Sequence, residues 1–325
     1  MRAALLVEPG RIVIDELPDP VPAAGEVRIA VGGVGLCGSD LSVFGGRWSV
    51  PSAPWVMGHE AFGVVDAVGD GVSPDRIGET VVVEPNVACL ACQACRRGWT
   101  SACTARQSVG MNRQGALAEL MVLPARFAWT IRGAPRDLVC VEPATVVRAA
   151  LRRLGWTPQS ALVLGAGAQG QLMTQVLLDR GSAVTVFDTN PDRIAFAETL
   201  GAAPVPDEGR YQLVVDTVGA PAAAAMALER LEVGGTILLL GLDSRPLAIS
   251  AQALVRRQAR LLASLTYDHP TDFAETVDLV TDGSLSPGRI VTDEYPLADA
   301  QEAFERCGAA SGKTWIRVGR GETES

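Results

Sequence analysis

The chain has 325 residues, 48% of them hydrophobic, with 34 glycines and 20 prolines, which is enough to build two domains that each bury a core. Its formal charge is −9, from 28 basic and 37 acidic side chains, and no basic run breaks that balance, which argues against nucleic acid and anionic membrane as partners. No apolar segment reaches bilayer length, and the N-terminal run 3–7 stops at Glu8, too short for a signal-peptide core, so a cytoplasmic protein is expected.

Up to about residue 130 the sequence reads as short strands separated by Gly and Pro turns. Val27, Ile29 and Val31 alternate as one buried face, and further strand patterns run over 61–68 and 80–84. Many short strands of this kind predict a compact, barrel-like β domain. Directly after them come Cys89, Cys92, Cys95 and Cys103, four of the seven cysteines, spaced C-x2-C-x2-C-x7-C. Four thiolates at that spacing wrap one tetrahedral ion and leave no open position, which predicts a structural zinc. A DNA-binding finger is the other zinc reading, but only Arg96, Arg97 and Arg106 lie nearby, too little charge for phosphate-driven affinity.

From Thr145 the texture changes to alternating helix and strand: helix to Leu154, strand 161–164, helix 171–180, strand 184–188, helix 192–200, strand 213–216, helix 222–231 and strand 236–240. This alternation predicts a doubly wound parallel sheet. A tail follows, with helices over 271–281 and 297–307, a last strand over 314–318, and frayed residues over 321–325. The expected domains are 1–145, 146–267 as the cofactor domain, and 268–325 returning to the first.

The most informative motif lies at the first strand–helix junction of that alternation, Gly165-Ala166-Gly167-Ala168-Gln169-Gly170. Glycines in this pattern allow a tight turn, close approach of backbone N–H groups to a pyrophosphate, and close helix–strand packing. The helix N-terminus then offers unpaired N–H groups and the positive end of its dipole. Asp188, at the end of the next strand pattern, is placed to accept hydrogen bonds from the adenosine ribose and to repel a 2′-phosphate, which favours NAD. Arg193 argues the other way, since a cation at this edge can meet that phosphate.

A second constellation is scattered: Cys37 in Gly35-Leu36-Cys37-Gly38-Ser39-Asp40, His59 in Gly58-His59-Glu60, and Glu142 before Pro143. Each segment carries a potential zinc ligand, and three protein ligands with one open position make a catalytic site. Taken singly, His59 reads as a structural histidine and Cys37 as a small buried hydrophobe. Their weight comes from occurring together.

With these segments assembled, the chain resembles the zinc-dependent medium-chain alcohol and polyol dehydrogenases, in the sorbitol and threonine dehydrogenase branch. The resemblance runs from residue 3 to about 318 and rests on 35–40, 58–63, the four-cysteine lobe, Glu142-Pro143, the glycine fingerprint and Gly234-Gly235-Thr236. It implies an α/β protein with a GroES-like β-barrel catalytic domain and a Rossmann cofactor domain. It also implies one catalytic zinc, one structural zinc and NAD. By the family pattern Cys37 and His59 are zinc ligands, and Glu60 and Glu142 share the remaining positions with water or substrate. Asp40 fixes His59 from behind, and Ser39 takes the proton of the substrate alcohol. The implied reaction is hydride transfer between NAD and a secondary alcohol of a polyol, sugar or cyclitol. An amino alcohol such as threonine comes second, ahead of a zinc-free reductase or a non-catalytic NAD-binding sensor on the same scaffold. The family forms homodimers and homotetramers.

The sequence departs from the pattern at Ser42, where many members carry a proton-relaying histidine, and at Ile77-Gly78-Glu79-Thr80, which replaces a Gly-Asp-Arg-Val type of sequence. His269 reads as structural or substrate-facing. Family members line the substrate pocket from the loop after the first cysteine, which here offers Phe44, Arg47, Trp48 and Trp55. Cys140 and Cys307 read as buried thiols.

Overall fold

A computed structural model describes residues 1–319, so the end expected to fray lies outside the described residues. The chain forms two compact units, Met1–Glu142 together with Asp268–Ser325, and Pro143–Tyr267. The divide falls inside the helix Val141–Leu154, which begins earlier than the pattern from Thr145 indicates.

In the first unit a seven-stranded sheet is organised around Glu26–Gly35. That strand pairs antiparallel with Glu60–Val68, Leu120–Pro124 and Lys313–Arg317. Its inward residues Val27, Ile29 and Val31 are 0–2% exposed, as expected for a strand with one face on the core. Arg11–Glu16, Arg2–Glu8 and Trp55–Val56 make a second sheet. Leu117, Leu123, Phe127 and Ile316 fill the shared core. The register matters most at one end of the hub strand, where Gly35 lies opposite both Glu60 and Trp315. Three strands therefore converge just where the chain leaves through Leu36 and Cys37 into the helix Gly38–Phe44.

The second unit is a six-stranded, wholly parallel sheet in the order Ala203–Pro204, Ala183–Phe187, Ser160–Leu164, Tyr211–Asp216, Leu231–Leu239, Arg260–Ala263. Ala161, Leu162, Val163 and Leu164 are at most 1% exposed, because a central parallel strand is covered on both faces. The chain reverses its winding between Ser160–Leu164 and Tyr211–Asp216, the point at which open parallel sheets bind ligands. Pro191 and Pro221 open their helices at the first turn, where a missing N–H costs nothing. Asn190 caps the first of these by accepting from Asp192 N at 2.9 Å, and Gly201 ends it at φ +107°. The helix Ala251–Arg257 and the edge strand Arg260–Ala263 continue the alternation beyond the strand pattern 236–240. Among the described residues no helix is long and apolar enough to cross a membrane.

Candidate metal and dinucleotide sites

Cys37, His59 and Glu60 come together with their candidate ligand atoms all within 4.8 Å of one another. Cys37 caps the Gly38–Phe44 helix and His59-Glu60 enters the neighbouring strand. Glu142, buried at 7% exposure, is not one of that group of three. Asp40 is wholly buried and accepts from three sides: Cys37 N at 3.0 Å, Gly58 N at 3.3 Å, and, at 3.2 Å, His59 Nδ1 in the tautomer that carries a proton there. It thus ties both ligand-bearing segments together and aims the other ring nitrogen of His59 away from itself. Burial pushes the His59 imidazole down, but the Asp40 carboxylate, helped by Cys37, holds it well above its ordinary value. Ser39 is half-buried in the same helix turn.

Behind Glu60 stands Lys313, the one lysine in the chain. The Lys313 ammonium pairs with Glu60 Oε2, and the two side chains are 2% and 1% exposed. Burial pulls the Lys313 ammonium down, yet Glu60, Cys37 and Cys140 together hold it above its ordinary value. Glu60 Oε1 is buried with no hydrogen-bond partner. An orphaned carboxylate oxygen beside a thiol and an imidazole fits a metal ion as its missing partner. Gly35 makes room for this arrangement: a Cβ there would collide with Glu60 Oε2 and lie 2.9 Å from Lys313 Cε. Sequence reasoning missed Lys313, although a lone lysine inside the apolar strand Lys313–Arg317 was a visible signal.

The four cysteines of the lobe also converge within 4.8 Å. Cys92 Sγ lies 3.5 Å and Cys89 Sγ 4.0 Å from Cys95 Sγ. A tetrahedral zinc with bonds of about 2.3 Å needs sulfurs about 3.8 Å apart, so the cradle has the right size. Backbone N–H groups of Cys95 and Thr104 pull the Cys92 thiol down to about 6, while burial pushes Cys95 up to about 12. The lobe is fastened to the C-terminal return: Thr100 Oγ1 accepts from His269 N at 2.6 Å, and Ser101 N donates to Asp268 Oδ1 at 2.9 Å. His269 Nδ1 meets the buried Glu84 carboxylate at 2.8 Å, and Trp129 Nε1 donates to the same oxygen. With Phe127 stacked 4.6 Å from its ring, His269 is a packed structural residue.

At the glycine fingerprint, Gly165 has φ +88°, and a Cβ there would lie 2.6 Å from Thr217 and Val218. A Cβ on Gly170 would strike the Gly165 carbonyl, so this position needs glycine for helix–strand contact. Gly167 is different, with only Arg193 Nη1 at 4.0 Å from its would-be Cβ. It caps the helix Ala168–Asp179 without a side-chain hydrogen bond. The cradle therefore leaves space and N–H groups for a phosphate. Asp188 accepts from Ala166 N at 2.7 Å and Asn190 N at 2.8 Å, so it also braces the loop. Arg193 Nη1 stands 3.9 Å from Asp188 Oδ2.

Of the proposed pocket residues, Trp55 belongs to the core at 4% exposure, with Nε1 donating to Gly110 O. Phe44 packs 5.1 Å from Phe304. The Ser42 hydroxyl donates to Gly38 O at 2.9 Å and accepts from Arg47 Nη2 at 3.1 Å. Cys140 is buried, with its thiol pushed up by burial, and Cys307 is pushed up to about 11 for the same reason.

The chain belongs to the zinc-type medium-chain alcohol dehydrogenase family. Residues 23–133 match the alcohol dehydrogenase GroES-like domain and residues 168–282 the zinc-binding dehydrogenase domain, so the two units are a GroES-like domain and a Rossmann domain. It is 33% identical to D-altritol 5-dehydrogenase of Agrobacterium fabrum, over 94% of this chain and 96% of the relative. It is 28% identical to L-galactonate-5-dehydrogenase of Escherichia coli, over 94% and 95%. The crystal structure of rspB from E. coli CFT073 with NADH superposes with a TM-score of 0.90 at 28% identity, covering 98% of this chain and 99% of that one.

Proposed function

We propose that this protein is a zinc- and NAD-dependent dehydrogenase that interconverts a secondary alcohol of a polyol or sugar derivative and the corresponding ketone. The observation that carries the reading is the Cys37, His59 and Glu60 cluster with its orphaned Glu60 oxygen and Asp40 behind it. Cys37 and His59 would hold the catalytic zinc, with Glu60 or Glu142 as exchangeable ligand, and Cys89, Cys92, Cys95 and Cys103 the structural zinc. Gly165, Gly167, Ala168, Gln169 and Gly170 would seat the pyrophosphate of NAD, with Asp188 and Arg193 at the ribose edge. When bound, zinc would supply Lewis acidity toward the substrate oxygen and NAD a hydride acceptor. Ser39 takes the proton of the substrate hydroxyl. Asp40 keeps the His59 ring in one tautomer and orientation. The Ser42 proton is directed to Gly38 O, which leaves water and the cofactor ribose to carry the proton outward from Ser39. The relatives named for oxidation at carbon 5 of altritol and galactonate support an open-chain polyol or sugar acid over an amino alcohol.

A homodimer or homotetramer belongs to the same reading. Arg260–Ala263 ends the described sheet with one edge unpaired and Leu261 is 45% exposed on it, an edge that proteins normally cover. A cytoplasmic placement agrees with the four free thiols that the structural site requires.

The test is NADH formation from NAD with alditols, aldonates, cyclitols, amino alcohols and simple secondary alcohols, with and without a chelator. Chelator-sensitive turnover of the first two classes is the expected result. Turnover that survives removal of all bound zinc, or that is confined to amino alcohols, overturns the reading.

A further inference from the structure

We propose that Arg47 forms a carboxylate subsite beside the catalytic cluster, so that the protein acts on sugar acids in preference to neutral polyols. The inference deepens the dehydrogenase reading and rests on it.

Arg47 is fixed from the helix that begins at Cys37. Its Nη2 donates to Ser42 Oγ at 3.1 Å, and Ser42 Oγ donates to the carbonyl of Gly38 at 2.9 Å. Two hydrogen bonds thus link the guanidinium to the peptide next to Cys37. The backbone is held at the same point, since Arg47 N and Trp48 N both donate to Ser42 O, at 2.9 and 3.1 Å. Gly46 permits the turn at φ +73°.

No carboxylate neutralises this arginine among the described residues. The one hydrogen-bond partner of its guanidinium is the uncharged Ser42 hydroxyl. In a chain of charge −9, an exposed guanidinium without an acidic partner has donors free for an oxyanion, and its planar fork matches a carboxylate. Trp48 follows directly and is 42% exposed. An exposed indole beside a guanidinium offers an apolar wall for a carbon chain whose charged end the arginine holds. The Ser42 hydroxyl, with its proton directed to Gly38 O, supports Arg47 and does not compete with a ligand for its remaining donors.

The experiment compares matched pairs, L-galactonate with galactitol and D-altronate with D-altritol, on wild type, Arg47→Met and Arg47→Lys. Both kcat/KM and calorimetric binding to the NADH-loaded protein are measured. In Arg47→Met the KM and binding constant for the aldonates should weaken by about 10- to 100-fold, the alditols should change by less than about threefold, and the KM for NAD should stay unchanged. Arg47→Lys should recover part of the loss, since it keeps the charge without the fork. Equal losses for aldonate and alditol, or a raised KM for NAD, would place Arg47 elsewhere in the site or on the cofactor and overturn the proposal. Aldonate binding that depends on Arg47 without turnover would sink the dehydrogenase reading and leave the subsite standing. Wild-type protein that binds neither member of either pair would sink both.

Discussion

Lys313 and Glu60 form an ion pair inside the first unit, both side chains sealed from solvent, and Glu60 also converges with Cys37 and His59. A buried pair of this kind contributes little net stability, but breaking it strands a charge. Lys313→Met should therefore cost about 3–5 kcal/mol and lower the melting temperature by roughly 5–15 °C. Scanning calorimetry of the metal-free protein reads this directly. An unchanged melting temperature would mean that Glu60 finds another partner once the lysine is gone.

Asp40 holds His59 Nδ1 at 3.2 Å and also accepts from the backbone of Cys37 and Gly58. Asp40→Asn keeps the shape and one acceptor oxygen but removes the charge that fixes the imidazole. Zinc affinity, measured by competition with a chromophoric chelator, should fall about 10- to 100-fold, with the circular dichroism spectrum preserved. His59→Ala should abolish turnover while leaving NAD binding largely intact. Full turnover in His59→Ala, or unchanged zinc affinity in Asp40→Asn, would remove this pair from the metal site.

How much of this was legible in the sequence follows from how local each signal is. The lobe Cys89 to Cys103 and the fingerprint Gly165 to Gly170 are short segments whose spacing carries the geometry: the four thiols lie within 4.8 Å of one another, and a Cβ at Gly165 or Gly170 would collide with its neighbours. The helix Thr271–Thr281 announced itself through its periodicity. Lys313 was invisible as a partner of Glu60, because only the pairing of Gly35 with strands from both ends of the chain brings the two together. The edge strand Arg260–Ala263 lacks alternation, and its side chains are mostly exposed, so no period marks it. Ser42 and Arg47 read as a lost relay and a surface arginine until the hydrogen bond between them is seen.

Asp188 does two things at once, bracing the fingerprint through Ala166 N and facing Arg193 at 3.9 Å. Asp188→Ala should raise the KM for NAD about tenfold by loosening the loop. It should also narrow the preference over NADP, because the carboxylate that repels a 2′-phosphate is gone while the arginine remains. Arg193→Ala in the same background should widen it again. Steady-state kinetics with both cofactors decide the matter, and a cofactor ratio that does not move in Asp188→Ala would assign ribose reading to another residue.

Glu79, the departure from the family pattern before the strand Thr80–Val83, has an electrostatic use. Its Oε2 receives Arg76 Nε and Thr130 Oγ1, each at 2.8 Å, while Arg76 reaches Ala125 O and Ala128 O with its other nitrogens. Partial burial pushes the Glu79 carboxyl up, but these hydrogen bonds and the Arg76 charge pull it below its ordinary value of 4.5. Because the folded carboxyl titrates lower than the unfolded one, its stabilisation is complete above the unfolded value and is lost as pH falls through the folded one. Glu79→Gln should thus destabilise the protein at neutral pH by about 0.5–1 kcal/mol, a modest figure because the carboxylate keeps 30% of its exposure. The difference should shrink below about pH 4, where wild type loses the same charge. Urea midpoints across that range test both limbs. A difference that persists undiminished in acid would show that Glu79 acts through packing, with its charge contributing nothing.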